Sequence, residues 1–129
     1  MDQLHNSLKS IDLSRCTILD KDFSGVEFEG ADFSNARFEK VIFTNCSFSH
    51  CNLDYARFTD CHMNGMEMDN CEMYGAEFIS CYFDDTRMDC CNVQQSGFVH
   101  TAIDRLTMSD CDTHGMLNYN YKNHEQEML

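Results

Sequence analysis

Cysteine is the residue type in this 129-residue chain whose number and spacing could support chemistry, because thiolates bind metals and thiol pairs form disulfides. A structural zinc site usually needs Cys pairs two to four residues apart, with further Cys or His nearby. Eight of the nine cysteines are instead separated by multiples of five, and only Cys90 falls outside this spacing. The pattern favours reduced cysteines that serve as small buried apolar residues. A disulfide between neighbours 20 residues apart, such as Cys71 and Cys91, and metal binding remain alternatives. The in-phase cysteines are Cys16, Cys46, Cys51, Cys61, Cys71, Cys81, Cys91 and Cys111.

Catalytic patterns are absent from the sequence. None of the six His has a Ser or Cys partner placed by the spacing, and surface histidines without a catalytic role are the favoured interpretation. The chain contains no Gly-rich dinucleotide loop, no phosphate-binding Gly-Lys-Ser and no Gly-x-Ser-x-Gly. The sequence therefore predicts a protein that is not an enzyme and that holds no cofactor or metal.

The charge balance limits the partners that the chain can bind. Nine Lys and Arg stand against 22 Asp and Glu, which gives a net charge of −13. So few basic residues argue against direct contact with nucleic acid or an anionic membrane, because phosphate contacts need Lys and Arg. No apolar run approaches the roughly 20 residues that span a bilayer, and the first ten residues do not resemble a signal peptide. Together with an odd number of cysteines, these features predict a cytoplasmic protein.

A five-residue period runs through most of the chain. Counted from Ile11, the third position of each unit is apolar without exception from Leu8 to Met108, and all ten Phe occupy it. Neither a helix, with a period of 3.6, nor a half-buried strand, with a period of two, produces this rhythm. The first and third positions can both face inward if the chain turns a corner after each unit. Five of the six Gly stand at the fifth position, where a tight turn suits them.

The units resemble those of the pentapeptide-repeat family, which approximate Ala-Asp/Asn-Leu/Phe-X-X. The clearest examples are Ala31-Asp-Phe-Ser-Asn, Ala56-Arg-Phe-Thr-Asp and Ala76-Glu-Phe-Ile-Ser. The resemblance implies an all-β fold, a right-handed quadrilateral parallel β-helix with four units, or 20 residues, in each of about five coils. On this basis residues 1–10 are expected to form an N-terminal cap and residues 11–115 the β-helix. Residues 116–129 are expected to form a C-terminal cap or a dimerisation tail.

A 20-residue coil predicts which side chains stack. Residues 20 apart become vertical neighbours, so the third positions form inward-facing columns. The predicted core is therefore a filled apolar rod with no ligand pocket. One of its columns is a ladder of rings formed by Phe38, Phe58, Phe78 and Phe98.

The acidic surface supplies the first functional hypothesis. A stretch of duplex DNA as long as the rod, about 24 Å, carries about 14 negative charges, comparable to the net −11 of residues 11–110. Some pentapeptide-repeat proteins mimic DNA and bind type II topoisomerases, so the resemblance implies a protein-binding rod whose partner is gyrase or another DNA-binding protein. The sequence lacks the loop insertions of the quinolone-resistance members. The predicted acidic patch consists of Asp69, Asp84, Asp85, Asp89, Asp104 and Asp110.

An apolar surface supplies the alternative hypothesis. Several large apolar side chains fall at outward-facing positions, which suggests a contact with a partner or a second copy. In this interpretation the chain is a structural or interaction scaffold of unknown partner that forms homodimers through the apolar patch or an end cap. The predicted apolar patch consists of Leu19, Tyr74, Ile79, Tyr82 and Val99.

Overall fold

The chain folds into a right-angled solenoid of parallel β-strands. The computed structural model describes the backbone of residues 7–120 and 125–127 and the side chains of residues 7–117. Each coil takes 20 residues and has four short sides, so that every unit of five residues forms one side. The predicted all-β fold, a parallel β-solenoid of about five coils, is confirmed.

The four sides of successive coils stack into four walls, named here in chain order. Wall 1 is a six-stranded parallel sheet made of Ser7–Lys9, Glu27–Glu29, Ser47–Ser49, Glu67–Asp69, Thr86–Asp89 and Leu106–Ser109. Wall 2 is held by single bridges that join Asp12, Asp32, Asn52, Glu72, Asn92 and Asp112 in that order. Wall 3 contains Thr17–Leu19, Arg37–Glu39, Arg57–Thr59, Glu77–Ile79, Gly97–Val99 and Leu117–Asn120, with Glu125–Glu127 added antiparallel. Wall 4 begins with bridges from Asp22 through Ile42 to His62 and continues as His62–Asn64, Tyr82–Asp84 and Ala102–Ile103.

The corners explain why the fifth position of each unit is restricted. From Ser10 to Gly115 every fifth residue has a positive φ, with Arg105 as the exception. Glycine adopts this left-handed conformation without penalty, and Asn tolerates it better than most other residues. The fifth position nevertheless also holds larger residues, such as Tyr55 with a φ of 60°. The corner conformation is therefore imposed by the stacking of coils, whose main-chain hydrogen bonds continue through it.

The core is a stack of side chains from the third positions. Phe58 is fully buried between Phe38 and Phe78, with ring centroids 4.8 Å apart on both sides and planes within 10° of parallel. Phe98 extends this column above Phe78 at 5.0 Å. The neighbouring columns meet it edge to face, an arrangement that aromatic rings favour. The rod is therefore filled along its axis.

The ends differ from the expected division of the chain. Strand Ser7–Lys9 pairs in register with Glu27–Glu29, so the solenoid extends N-terminal of residue 11, where it was expected to begin. At the other end Leu117–Asn120 still pairs in parallel with Gly97–Val99, and Glu125–Glu127 then pairs antiparallel with it. Residues 1–6, 121–124 and 128–129 lie outside the described residues, and so does most of the predicted N-terminal cap. No helix among the described residues is long and apolar enough to span a membrane.

Candidate functional site

The cysteines are the side chains of this fold that are most able to support chemistry. Every cysteine is a free thiol, and six of them are buried. The thiol of Cys71 donates to the main-chain oxygen of Phe48 at 3.4 Å, and that of Cys91 donates to Met68 at 3.5 Å. The same bond to the residue 23 positions earlier recurs at Cys46, Cys51, Cys61, Cys81 and Cys111. These cysteines are thus more than apolar filling, because each satisfies a main-chain carbonyl.

Hydrogen bonds between stacked thiols raise the pKa of Cys71 and Cys81 and lower the pKa of their neighbours Cys51, Cys61 and Cys91. Hydrogen bonds to Cys51 and Cys91, together with burial, raise the pKa of Cys71. A hydrogen bond to Cys61, together with burial, raises the pKa of Cys81. The thiol, unlike the thiolate, is a poor nucleophile and a poor metal ligand. Among the side chains that the structure describes, no three His, Cys, Asp or Glu are grouped as metal ligands.

The six acids of the predicted patch lie in walls 1 and 4 and at the two corners that flank wall 1. Asp69 and Asp89 are direct vertical neighbours in wall 1. Desolvation and the charges of Asp110, Asp69 and Asp89 raise the pKa of Cys90. Asp110 stands at the corner between walls 1 and 2, where the fifth position also places Cys90. These three carboxylates form one group.

The other three acids of the predicted patch surround an arginine. The Nε of Arg105 lies 3.3 Å from Oδ1 of Asp84, and this hydrogen bond, with the charges of Asp84, Asp85 and Asp104, raises the pKa of Arg105. The group is located at the end of wall 4 and at its corner with wall 1. Arg105 therefore neutralises part of this group, whereas in wall 1 Arg87 reaches only Asp89, at 3.7 Å.

Wall 2 carries acids that the sequence interpretation overlooked. Its outward positions bear five acids and no Lys or Arg. Reading the sequence at intervals of 20 from residue 12 and residue 14 would have found them. They are Asp12, Asp32, Asp54, Glu72 and Asp112.

Local hydrogen bonds hold several of these carboxylates in place. Oδ1 of Asp12 accepts from the hydroxyl of Ser14 at 2.7 Å and from its main-chain N–H at 3.0 Å. These two bonds lower the pKa of Asp12. Asp32 makes the same pair of bonds to Ser34. The carboxylates are thus held at defined positions along the wall.

The charges of the solenoid are consequently one-sided. We call walls 1 and 2 with the corner between them the acidic half, and walls 3 and 4 with the other three corners the opposite half. Among residues 7–117 the acidic half carries eleven acids and two bases, a net charge of −9. The opposite half carries eight acids and six bases, a net charge of −2. The acids of the acidic half are Asp12, Glu27, Glu29, Asp32, Asp54, Glu67, Asp69, Glu72, Asp89, Asp110 and Asp112.

The predicted apolar patch is not one surface. Ile79 and Val99 are vertical neighbours in wall 3 and are half-buried, but Glu39 and Thr59 separate them from Leu19 in the same column. Tyr74 belongs to wall 2, where its ring meets Tyr55 edge to face at 5.8 Å. Tyr82 belongs to wall 4, where it meets His62 at 6.3 Å. The described side chains thus divide the five residues among three walls.

Comparison with known proteins agrees with this architecture. The family model described as a pentapeptide repeat region matches residues 21–79. The structure is similar to the crystal structure of a pentapeptide repeat protein from the Arabidopsis thaliana thylakoid lumen, with a TM-score of 0.66 and 16% identity, covering 72% of this chain and 66% of that chain. At this identity the likeness shows the fold alone.

Two further structures are less similar. A trypsin-treated form of QnrB1, a plasmid-mediated fluoroquinolone resistance protein, gives a TM-score of 0.40 at 20% identity, covering 87% of this chain and 73% of that chain. HetL, a pentapeptide repeat protein involved in heterocyst differentiation regulation in the cyanobacterium Nostoc sp. strain PCC 7120, gives 0.30 at 9% identity, covering 87% and 89%. No curated protein matches the sequence.

Proposed function

Because this chain is a pentapeptide-repeat protein, we propose that it is a non-catalytic binding module whose acidic half occupies the DNA-binding surface of a partner protein. The observation that supports this proposal is the one-sided charge, −9 on the acidic half against −2 on the opposite half. A uniformly acidic surface would serve solubility alone, whereas a one-sided distribution presents a single face to a basic partner. The proposed partner class includes type II topoisomerases such as gyrase, and the proposed location is the cytoplasm.

The dimensions of the acidic half suit this role. Five coils spaced about 4.8 Å apart give a length of about 24 Å, over which duplex DNA carries about 14 phosphates counted on both strands. A protein that contacts DNA from one side meets only part of these phosphates. The net charge of −9 on the acidic half is therefore comparable to the phosphate charge that such a protein contacts. The side chains are short and several are fixed by hydrogen bonds, which limits the entropy lost on binding.

Gyrase supercoiling assays with two matched variants test the proposal. The acidic-half variant combines Asp32→Asn, Asp69→Asn, Glu72→Gln and Asp89→Asn. The control variant combines Asp20→Asn, Glu39→Gln, Asp60→Asn and Asp104→Asn on the opposite half, so both variants change the net charge by the same amount. We expect the wild-type protein at micromolar concentration to alter supercoiling or its inhibition by a fluoroquinolone. The control variant should retain this effect, and the acidic-half variant should lose it.

The outcome distinguishes binding to gyrase from the broader proposal that the acidic half binds some DNA-binding protein. Unaltered supercoiling with and without fluoroquinolone would exclude gyrase as the partner. Pull-downs from nuclease-treated lysate would then compare the same three proteins. If the wild type and the control variant retain DNA-binding proteins that the acidic-half variant does not, the broader proposal stands. Equal retention by all three proteins, or no DNA-binding protein on any of them, would refute it.

A further inference from the structure

A groove lies on the side of the solenoid outside the acidic half. It has a volume of about 350 Å³ and is open to solvent along the corner where wall 3 follows wall 2. The corner residue Gly75 has a φ of +68°, and a Cβ atom there would be 2.7 Å from Cε1 of Tyr55. The ring of Tyr55 therefore leans across Gly75 and forms one side of the groove. The groove is lined by Asn35, Arg37, Tyr55, Arg57, Gly75 and Glu77.

Two arginines stand side by side in this groove. Arg37 and Arg57 are register partners in parallel strands of wall 3, so their Cα atoms lie about one strand spacing, about 4.8 Å, apart. Two guanidinium groups carried on neighbouring strands repel each other, and an anion between or beside them relieves the repulsion. Nine Lys and Arg stand against 22 Asp and Glu in the chain, so two basic residues at adjacent register positions depart from its overall charge.

Only one of the two arginines is neutralised by the protein itself. Nη2 and Nε of Arg57 lie 3.0 Å and 3.1 Å from Oε1 of Glu77. Within residues 7–117 no carboxylate forms an ion pair with Arg37. The two arginines and Glu77 thus leave the groove with one uncompensated positive charge.

The donors that remain free fit a phosphate group. Arg37 offers its guanidinium fork, Arg57 keeps the Nη1 edge that Glu77 does not use, and the groove also contains the amide of Asn35. Guanidinium forks bind phosphate bidentately, and the three terminal oxygens of a phosphate monoester can serve both arginines at once. A carboxylate has only two oxygens and satisfies one fork.

We propose that this groove binds a small phosphate monoester, with the phosphate on Arg37 and Arg57 and the organic group against the ring of Tyr55. Tyr55 is 57% exposed and its side chain lines the groove. A nucleic-acid backbone is a poorer ligand, because its many charges are repelled by a chain of net charge −13. The inference is independent of the proposed function, which involves the acidic half.

Titration of the ¹⁵N-labelled protein with phenyl phosphate tests the site. At pH 7.5 and constant ionic strength, we expect saturable shifts of the Arg37 and Arg57 Nε signals and of the Gly75 amide. Arg37→Gln should weaken binding at least tenfold, because even one of the charge-assisted hydrogen bonds of the fork contributes about that factor. Arg87→Gln is the matched control on the acidic half and should leave the affinity unchanged. Tyr55→Ala should reduce the affinity for phenyl phosphate to that for inorganic phosphate.

Two further probes decide the chemical class. Benzoate offers the same ring on a carboxylate, and dimethyl phosphate represents a nucleic-acid diester. We expect both to bind at least tenfold more weakly than phenyl phosphate. Equal binding of benzoate or dimethyl phosphate would refute the phosphate-monoester assignment. Linear, non-saturating shifts, or equal affinity of the wild type and Arg37→Gln, would refute the site itself.

Discussion

The hydroxyl of Thr101 donates a 2.9 Å hydrogen bond to the main-chain oxygen of Phe78, 23 residues earlier. One coil below, the thiol of Cys81 makes the equivalent bond to Phe58 at 3.3 Å. Thr86 repeats the pattern with Met63 at 2.6 Å. The first position of the unit therefore accommodates either Cys or Thr, because both are small and both donate to the same buried carbonyl.

Substitution at residue 101 tests this role. Thr101 also accepts from the main-chain N–H of Cys81 at 3.2 Å, so Thr101→Val removes a donor and an acceptor from a buried place. We expect Thr101→Val to lower the free energy of unfolding by about 1–3 kcal/mol, and Thr101→Cys to lower it by less than about 1 kcal/mol. Guanidinium unfolding in reducing buffer measures both. Equal losses would show that only the volume of the side chain matters.

The pH dependence of stability should reveal the buried thiol of Cys46. Burial raises the pKa of Cys46 to about 11, above the ordinary thiol value near 9. Below pH 9 the thiol is protonated in the folded and unfolded states and contributes no pH dependence. Between pH 9 and 11 the unfolded chain ionises first, so stability falls as the pH rises, by up to about 2 kcal/mol for this residue.

Comparison with Cys46→Ala isolates that contribution. The remaining titrating groups are common to both proteins, so their effects largely cancel in the difference between the two urea unfolding curves. We expect the difference in unfolding free energy to be constant from pH 7 to 8.5 and to shift in favour of Cys46→Ala by pH 10.5. A difference that stays constant over the whole range would mean that the folded thiol ionises as readily as a free one.

The phenylalanine ladder should dominate the stability of the central coils. Phe58 is fully buried between two stacked rings, so Phe58→Ala leaves a cavity that its rigid neighbours cannot fill. We expect a loss of about 3–5 kcal/mol in the free energy of unfolding. Leu19→Ala, at a position 49% exposed, should change it by less than about 0.5 kcal/mol. Denaturant unfolding followed by far-ultraviolet circular dichroism compares the two, and similar losses would contradict the packed core.

Two glycine corners differ in what lies next to them. Gly25 and Gly75 both have a positive φ, but a Cβ atom would meet nothing within 4 Å at Gly25 and the ring of Tyr55 at Gly75. Both Ala variants should lose about 1–2 kcal/mol from the strained backbone. Gly75→Ala should in addition turn the Tyr55 ring and shift the ring-proton signals of Tyr74, which Gly25→Ala should leave in place. Unchanged Tyr74 signals in both variants would contradict the contact across Gly75.

The sequence was sufficient for the core because one rule determines it. With a strict five-residue spacing and no insertion, position three of every fourth unit must stack, and the Phe38 to Phe98 column follows. The hydrogen bonds of the cysteines were not predictable in this way, because they depend on the distance between a first-position side chain and the carbonyl of the third-position residue 23 positions earlier. The residues of the predicted apolar patch do not form one continuous surface. Leu19 and Ile79, for example, share a column but lie three coils apart.

The acidic half was missed for a related reason. The predicted patch was mapped onto two adjacent sides that meet at Asp85, which are walls 4 and 1, and the charges of the side after wall 1 were not summed. The pairing of Arg105 with Asp84 on one side of that border depends on side-chain conformation, which the repeat does not specify. Summing charges wall by wall would have identified wall 2.

The constant 20-residue register also determines how the molecule responds to changes in length. Removing one whole unit of five residues would preserve the alternation of inward and outward side chains, so the rod would still close and pack. Every later residue, however, would move a quarter of a revolution around the axis. The acidic half would then be divided into two segments that face different directions. Only the gain or loss of a complete coil of 20 residues keeps the acidic half continuous.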